Sequence, residues 1–134
     1  MSILSWSNRY LSLTNKNKIM KEFLLVFRRD NSSADQQPSP EQMQEMMKHW
    51  QDWMGSLAAQ NKLSNAGNRL ASEGRVVNPN KLVTNGPYVE LKEAIGGYII
   101  VRAENIDEAA ELSKGCPILH IGGNVEVRTI VPMD

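Results

Sequence analysis

Between Thr84 and Arg128 the chain reads TNGPYVELKEAIGGYIIVRAENIDEAAELSKGCPILHIGGNVEVR. A turn runs into a charged loop and a glycine pair, then a strand, a short capped helix, a Gly-Cys-Pro break and a last strand. Tyr98-Ile99-Ile100-Val101-Arg102 is rich in β-branched residues and too short for a helix, so it reads as a strand. Asn105 is placed to cap a helix, with Glu108 three residues on as the capping-box partner. Ile106, Ala109, Ala110 and Ser113 fall on that helix's inner side. Gly115 suits a left-handed C′ position, and Pro117 prevents continuation. From Asn124 to Val131 the residues alternate: Val125, Val127, Thr129 and Val131 on one face, Glu126, Arg128 and Ile130 on the other. Strand, helix and strand in this order make half of a small α+β fold.

The other half precedes it. Phe23-Leu24-Leu25-Val26-Phe27 is a short apolar run that reads as a buried strand. Asn31 to Gln37 is polar and aperiodic, hence a loop. Ser39-Pro40-Glu41-Gln42 starts a helix: Ser39 as N-cap, Pro40 in the first turn, Gln42 completing a capping box. Met43, Met46, Met47, Trp50, Trp53, Met54 and Leu57 then recur at three- and four-residue steps, one apolar stripe running to about Gln60. Leu63 to Leu70 is polar and contains Gly67, the pattern of an irregular or edge strand. Arg75-Val76-Val77 and Lys81-Leu82-Val83-Thr84, separated by Asn78-Pro79-Asn80, form a hairpin. The expected fold is therefore α+β, a ferredoxin-like βαββαβ with an inserted hairpin.

Bulk properties narrow the function. At 134 residues the chain is one domain with a modest core. Fifteen basic and fifteen acidic residues leave a formal charge of zero. No broad positive field for DNA or RNA follows from that balance, so no nucleic-acid partner is expected. The single cysteine, Cys116, rules out an intrachain disulfide and fits a reducing, cytoplasmic setting. No Cys/His set has zinc spacing, so neither metal nor cofactor is expected. No apolar run approaches the roughly 18 residues of a membrane span. Residues 1–19 read as a flexible polar extension, with the folded unit spanning 20–134.

An ordered set of short motifs carries a resemblance. Asn85-Gly86-Pro87-Tyr88, Glu90, Lys92-Glu93, Gly96-Gly97-Tyr98, Asp107-Glu108-Ala109, Cys116-Pro117 and Val125-Glu126-Val127-Arg128 resemble the YCII-related family, specifically its DGPF branch, over roughly Met20 to the C-terminus. The branch's Asp-Gly-Pro-Phe reads Asn-Gly-Pro-Tyr here, and an amide in place of the aspartate cannot accept a proton by ionising. The resemblance implies a dimeric α/β barrel: two ferredoxin-like sheets packed face to face, a homodimer with one cavity per subunit. It also implies similarity in fold to cofactor-free enzymes of the muconolactone-isomerase type, and an association of some members with transcription initiation or sigma factors. Fold alone transfers no activity.

Several residue types in this sequence carry chemistry. His49 stands about a quarter-turn from the centre of the first helix's apolar stripe. There an imidazole serves either as a general base, oriented by Glu45 or Asp52, or as one half of an ordinary surface pair. His120, in the loop before the last strand, is a ligand-binding candidate or a solvent-facing loop residue. Glu90 and Glu93, with Lys92, make either a polar pocket rim whose carboxylates share proton work or a turn held by ion pairs. Gly96-Gly97 lacks the spacing of a phosphate loop and reads as a sharp turn into the strand. Trp50, Trp53 and the methionines are plain core or the wall of an apolar ligand cavity. Catalytic candidates are thus His49, Glu93 and Glu90; ligand-binding candidates are Asn85, Tyr88, Trp53, Tyr98 and His120. Cys116 follows a helix C-terminus, where the dipole disfavours a thiolate. Two functions stay open. One is a cofactor-free isomerase or lyase acting on a compact organic acid. The other is a non-catalytic ligand-binding or regulatory dimer near the transcription machinery.

Overall fold

The computed structural model describes residues 19–29, 38–86 and 94–133. Within them the chain is mixed α+β. Strand β1 (Lys21–Arg29) leads to helix α1 (Pro40–Ala59), followed by β2 (Leu63–Arg69), β3 (Gly74–Val77) and β4 (Val83–Gly86). After these come β5 (Ala94–Ala103), helix α2 (Ile106–Ser113), a 3-10 turn (Pro117–Ile121) and β6 (Asn124–Thr129). Four strands form one antiparallel sheet in the order β2-β5-β1-β6, while β3 and β4 pair as a separate hairpin. Since each neighbour is antiparallel, β1 and β2 run parallel with β5 between them, and β5 and β6 run parallel with β1 between them. Two split β-α-β units are interleaved, an arrangement compatible with the expected ferredoxin-like βαββαβ.

Sequence alternation decides which sheet face is covered. Phe23, Leu25 and Phe27 of β1 pack with Ile99, Val101 and Ala103 of β5, and with Trp53 and Leu57 of α1 and Ala109 of α2, in one buried cluster. Register aligns these positions, with Leu25 opposite both Ile99 and Val127. Both helices therefore cover the same face. Aromatic packing fixes α1 there: Phe27, Trp50 and Trp53 meet edge to face with ring centroids 5.0–6.0 Å apart.

Helix boundaries follow the local signals. Ser39 Oγ accepts from the Gln42 amide at 3.1 Å, and the Gln42 side chain accepts from the Ser39 amide at 2.9 Å, a complete capping box. After the Gln60 C-cap, Asn61 takes the left-handed conformation (φ 57°) that closes α1. Asn105 Oδ1 accepts from the Glu108 amide at 2.8 Å, but the Glu108 carboxylate reaches the Glu104 amide rather than that of Asn105.

Elsewhere the structure departs from the expected pattern. Ile106 and Ala110 are exposed, and α2 instead buries Ala109 and Ser113. Gly115 is not left-handed, because α2 ends on Lys114 in the right-handed region and its last amides bond back onto the helix. Gly96 and Gly97 lie inside β5, opposite an irregularity between Phe27 and Arg28, rather than before it. A side chain on Gly97 would meet the Asn68 carbonyl at 2.9 Å, so the glycine serves close approach of β2. Finally, β6 stops at Thr129, and Val131 is exposed beyond it.

Candidate functional site

The apolar stripe of α1 is not buried along its whole length. Trp53 and Leu57 are buried, Met46, Trp50 and Met54 are half-buried, and Met43 and Met47 are exposed. Toward its N-terminus the helix turns a mixed face, not an apolar one, to the rest of the fold. Gln42, Glu45, Met46, His49 and Trp53 recur at three- and four-residue steps, so they share that face. Across from them stand Gly115, Pro117, His120 and Ile121, from the end of α2 and the 3-10 turn. Together these residues line an open groove of about 570 Å³, within the range of small-molecule sites.

Each wall has a structural cause. Trp53 Nε1 donates to the Leu112 carbonyl oxygen at 3.1 Å, fixing the indole at the groove's inner end. Gly115 leaves room for that ring: a Cβ there would lie 3.0 Å from Trp53 Cδ1. Pro117 and Ile118 are the buried residues of the 3-10 turn, and Gly122 ends the turn in the left-handed conformation (φ 83°). His120 and Ile121 are thereby left at the groove's mouth, partly in solvent.

His49 Nε2 lies 3.8 Å from Glu45 Oε1, an i,i+4 pair with both side chains mostly exposed. At that distance the carboxylate is a solvent-screened electrostatic neighbour of the ring rather than a hydrogen-bond partner. Asp52, the alternative partner, does not line the groove. His49, His120 and Trp53 are thus brought together on one surface although they come from distant parts of the chain.

Other candidates stand elsewhere. Asn85 lies in β4, exposed and opposite Arg75 in the hairpin. Tyr98 is half-buried on the sheet face away from the helices, where its hydroxyl accepts from Asn68 Nδ2 at 3.3 Å. Tyr88, Glu90 and Glu93 lie outside the described residues, as does Lys92. Cys116 is fully buried, and burial pushes its thiol up to about 11. It is a core residue, not a nucleophile. Among the described residues, no group of three or more His, Cys, Asp or Glu is arranged to hold a metal ion. None of the described helices is long and apolar enough to cross a membrane.

Sequence reasoning missed Arg28. On the sheet face away from the helices, its guanidinium bonds Glu126 Oε1 at 3.0 and 3.1 Å, while Arg128 bonds Glu126 Oε2 at 3.1 Å. The Arg28 contacts, with those of Arg128, hold the Glu126 carboxyl below the usual carboxylate range. Alternation in β6 puts Glu126 and Arg128 on one face. The missing signal was Arg28 at the end of the β1 apolar run, aligned by register with Asn124.

A search of curated proteins finds no match for this sequence. The sequence profile of the YCII-related domain matches residues 20–134. That span holds every element described above and the whole groove, and so the chain belongs to the YCII-related domain family.

Proposed function

We propose that the protein binds a small organic molecule in the groove between α1 and the 3-10 turn and moves a proton on it without a cofactor. The observation that carries this reading is the convergence of His49 and His120 beside Trp53. Two imidazoles on one cavity suit an isomerisation. His49, paired with Glu45, takes a proton from a carbon next to an electron-withdrawing group, and His120 returns one at a second carbon conjugated with the resulting carbanion, the two rings exchanging protons with solvent between turnovers. No net oxidation or group transfer is involved. We place the chain in the DGPF branch of its family on the strength of Asn85-Gly86-Pro87-Tyr88 and the motifs that follow it.

A homodimer is part of this reading. Leu24, Tyr98 and Ile100 are half-buried on the sheet face opposite the helices, and the Arg28–Glu126–Arg128 ion pairs border them. An apolar centre with a charged rim is the composition of a subunit interface. Pairing of two such faces would form the dimeric barrel. Sedimentation at micromolar concentration tests it: a dimer is expected, and a monomer rules this face out as a stable interface.

Exposure of the site favours a second reading, reversible binding without chemistry. About 61% of the His49 side chain and 73% of the Glu45 side chain are open to solvent, and water weakens their interaction. In that case the groove is a sensor, and the association with transcription proteins implied by the family resemblance becomes its context. Incubation with a metabolite mixture in D₂O separates the two. Catalysis predicts deuterium entering one metabolite with wild-type protein and not with His49→Gln. Equal incorporation in both would remove His49 from the mechanism, and none in either favours the sensor.

A further inference from the structure

We infer that the groove selects a small organic cation, an amine-bearing molecule with an apolar body, over a carboxylate; this rests on the groove being a ligand site. The only formal charge among its described lining residues is the Glu45 carboxylate, and no lysine or arginine lines it. Lys114, next in sequence to the lining Gly115, is not itself a lining residue and pairs with Glu111 at 2.6 Å. A second contribution has the same sign. Gly115 and Pro117 follow the C-terminal end of α2, which carries the negative pole of the helix and whose one basic neighbour, the C-cap Lys114, is paired with Glu111. A free carboxylate would therefore meet Glu45 with no lysine or arginine among the lining residues to compensate it. An ammonium group would pair with Glu45. Met46, Ile121 and Pro117 supply apolar surface for the body of such a ligand, and Trp53 adds an aromatic ring of the kind that attracts cations. The organic acid suggested by the fold resemblance fits this lining less well.

Three probes of one shape and three charges test the inference: benzylamine, benzyl alcohol and benzoate. Binding is read from the imidazole NMR signals of the intact protein at pH 8, where benzylamine is a cation and benzoate an anion. Benzylamine should bind most tightly and benzoate least. In Glu45→Gln the advantage of benzylamine over benzyl alcohol should fall about fivefold or more, the equivalent of losing one partly screened charge contact. Benzoate binding as tightly as benzylamine would overturn the charge preference while leaving the groove as a ligand site. If no probe moves either imidazole, both the preference and the ligand-site reading fall. An unchanged preference in Glu45→Gln would also overturn it, since Glu45 is its stated cause.

Discussion

Trp53 Nε1 donates a 3.1 Å hydrogen bond to the carbonyl oxygen of Leu112 and so ties the middle of α1 to the last turn of α2. The bond is long-range, partly buried, and borders the groove. Trp53→Phe keeps an aromatic ring but removes the donor. It is expected to lower unfolding free energy by about 1 kcal/mol, the net worth of one partly buried hydrogen bond, since the Leu112 carbonyl keeps the Gly115 amide as a longer partner. Urea denaturation measures this, and an unchanged midpoint would show that the bond is not a structural tie.

Gly115 faces the same indole. In Gly115→Ala the new Cβ would stand 3.0 Å from Cδ1 and 3.1 Å from Nε1 of Trp53, so the ring or the turn must yield. Overpacking of this kind costs about 1–3 kcal/mol. Near-ultraviolet circular dichroism should change along with stability, because the displaced ring is a tryptophan. Backbone strain plays no part, since the glycine is not in the left-handed region.

Glu126 gives a pH dependence of defined sign. Hydrogen bonds from Arg28 first, then Arg128, lower its folded pKa below the ordinary 4.5. A depressed carboxyl contributes stability above the unfolded value and loses it as pH falls through the folded one. The stability gap between wild type and Glu126→Gln should therefore stay constant near neutrality and shrink as pH drops below 4.5. Partial exposure of all three side chains makes the gap small. A gap that widened in acid would contradict the assignment.

Cys116 is fully buried with its thiol pushed up to about 11. At pH 8 it should resist a thiol reagent in the native state and react in denaturant. The labelling rate in weak denaturant should follow global unfolding. Fast native labelling would mean that the core around the 3-10 turn opens locally.

Local features of this chain were legible in its sequence, and long-range ones were not. Both helix starts follow from Ser39–Gln42 and Asn105–Glu108, pairs three residues apart whose hydrogen bonds need no tertiary context. The β5 strand and the hairpin followed from alternation and turn residues in the same way, although the hairpin's second strand runs Val83–Gly86 rather than over Lys81 to Thr84. Gly115 was misread because a glycine after a helix usually supplies the left-handed C′ residue. Here the constraint is the neighbouring Trp53 ring, invisible without the fold. Gly96 and Gly97 were likewise expected to admit a turn, whereas strand packing against β2 explains Gly97. Of the site, His49, Trp53 and His120 could be named individually from residue type and position. Their meeting depends on how α1 crosses the 3-10 turn, which no local pattern encodes.

The most direct test follows the two histidines, the only ones in the chain, by imidazole NMR during titration with the three charge-varied probes. For at least one probe both His49 and His120 signals should move along a single saturation curve, and Trp53→Phe should weaken that binding. Movement of one imidazole alone, or two curves with different midpoints, would contradict a shared groove.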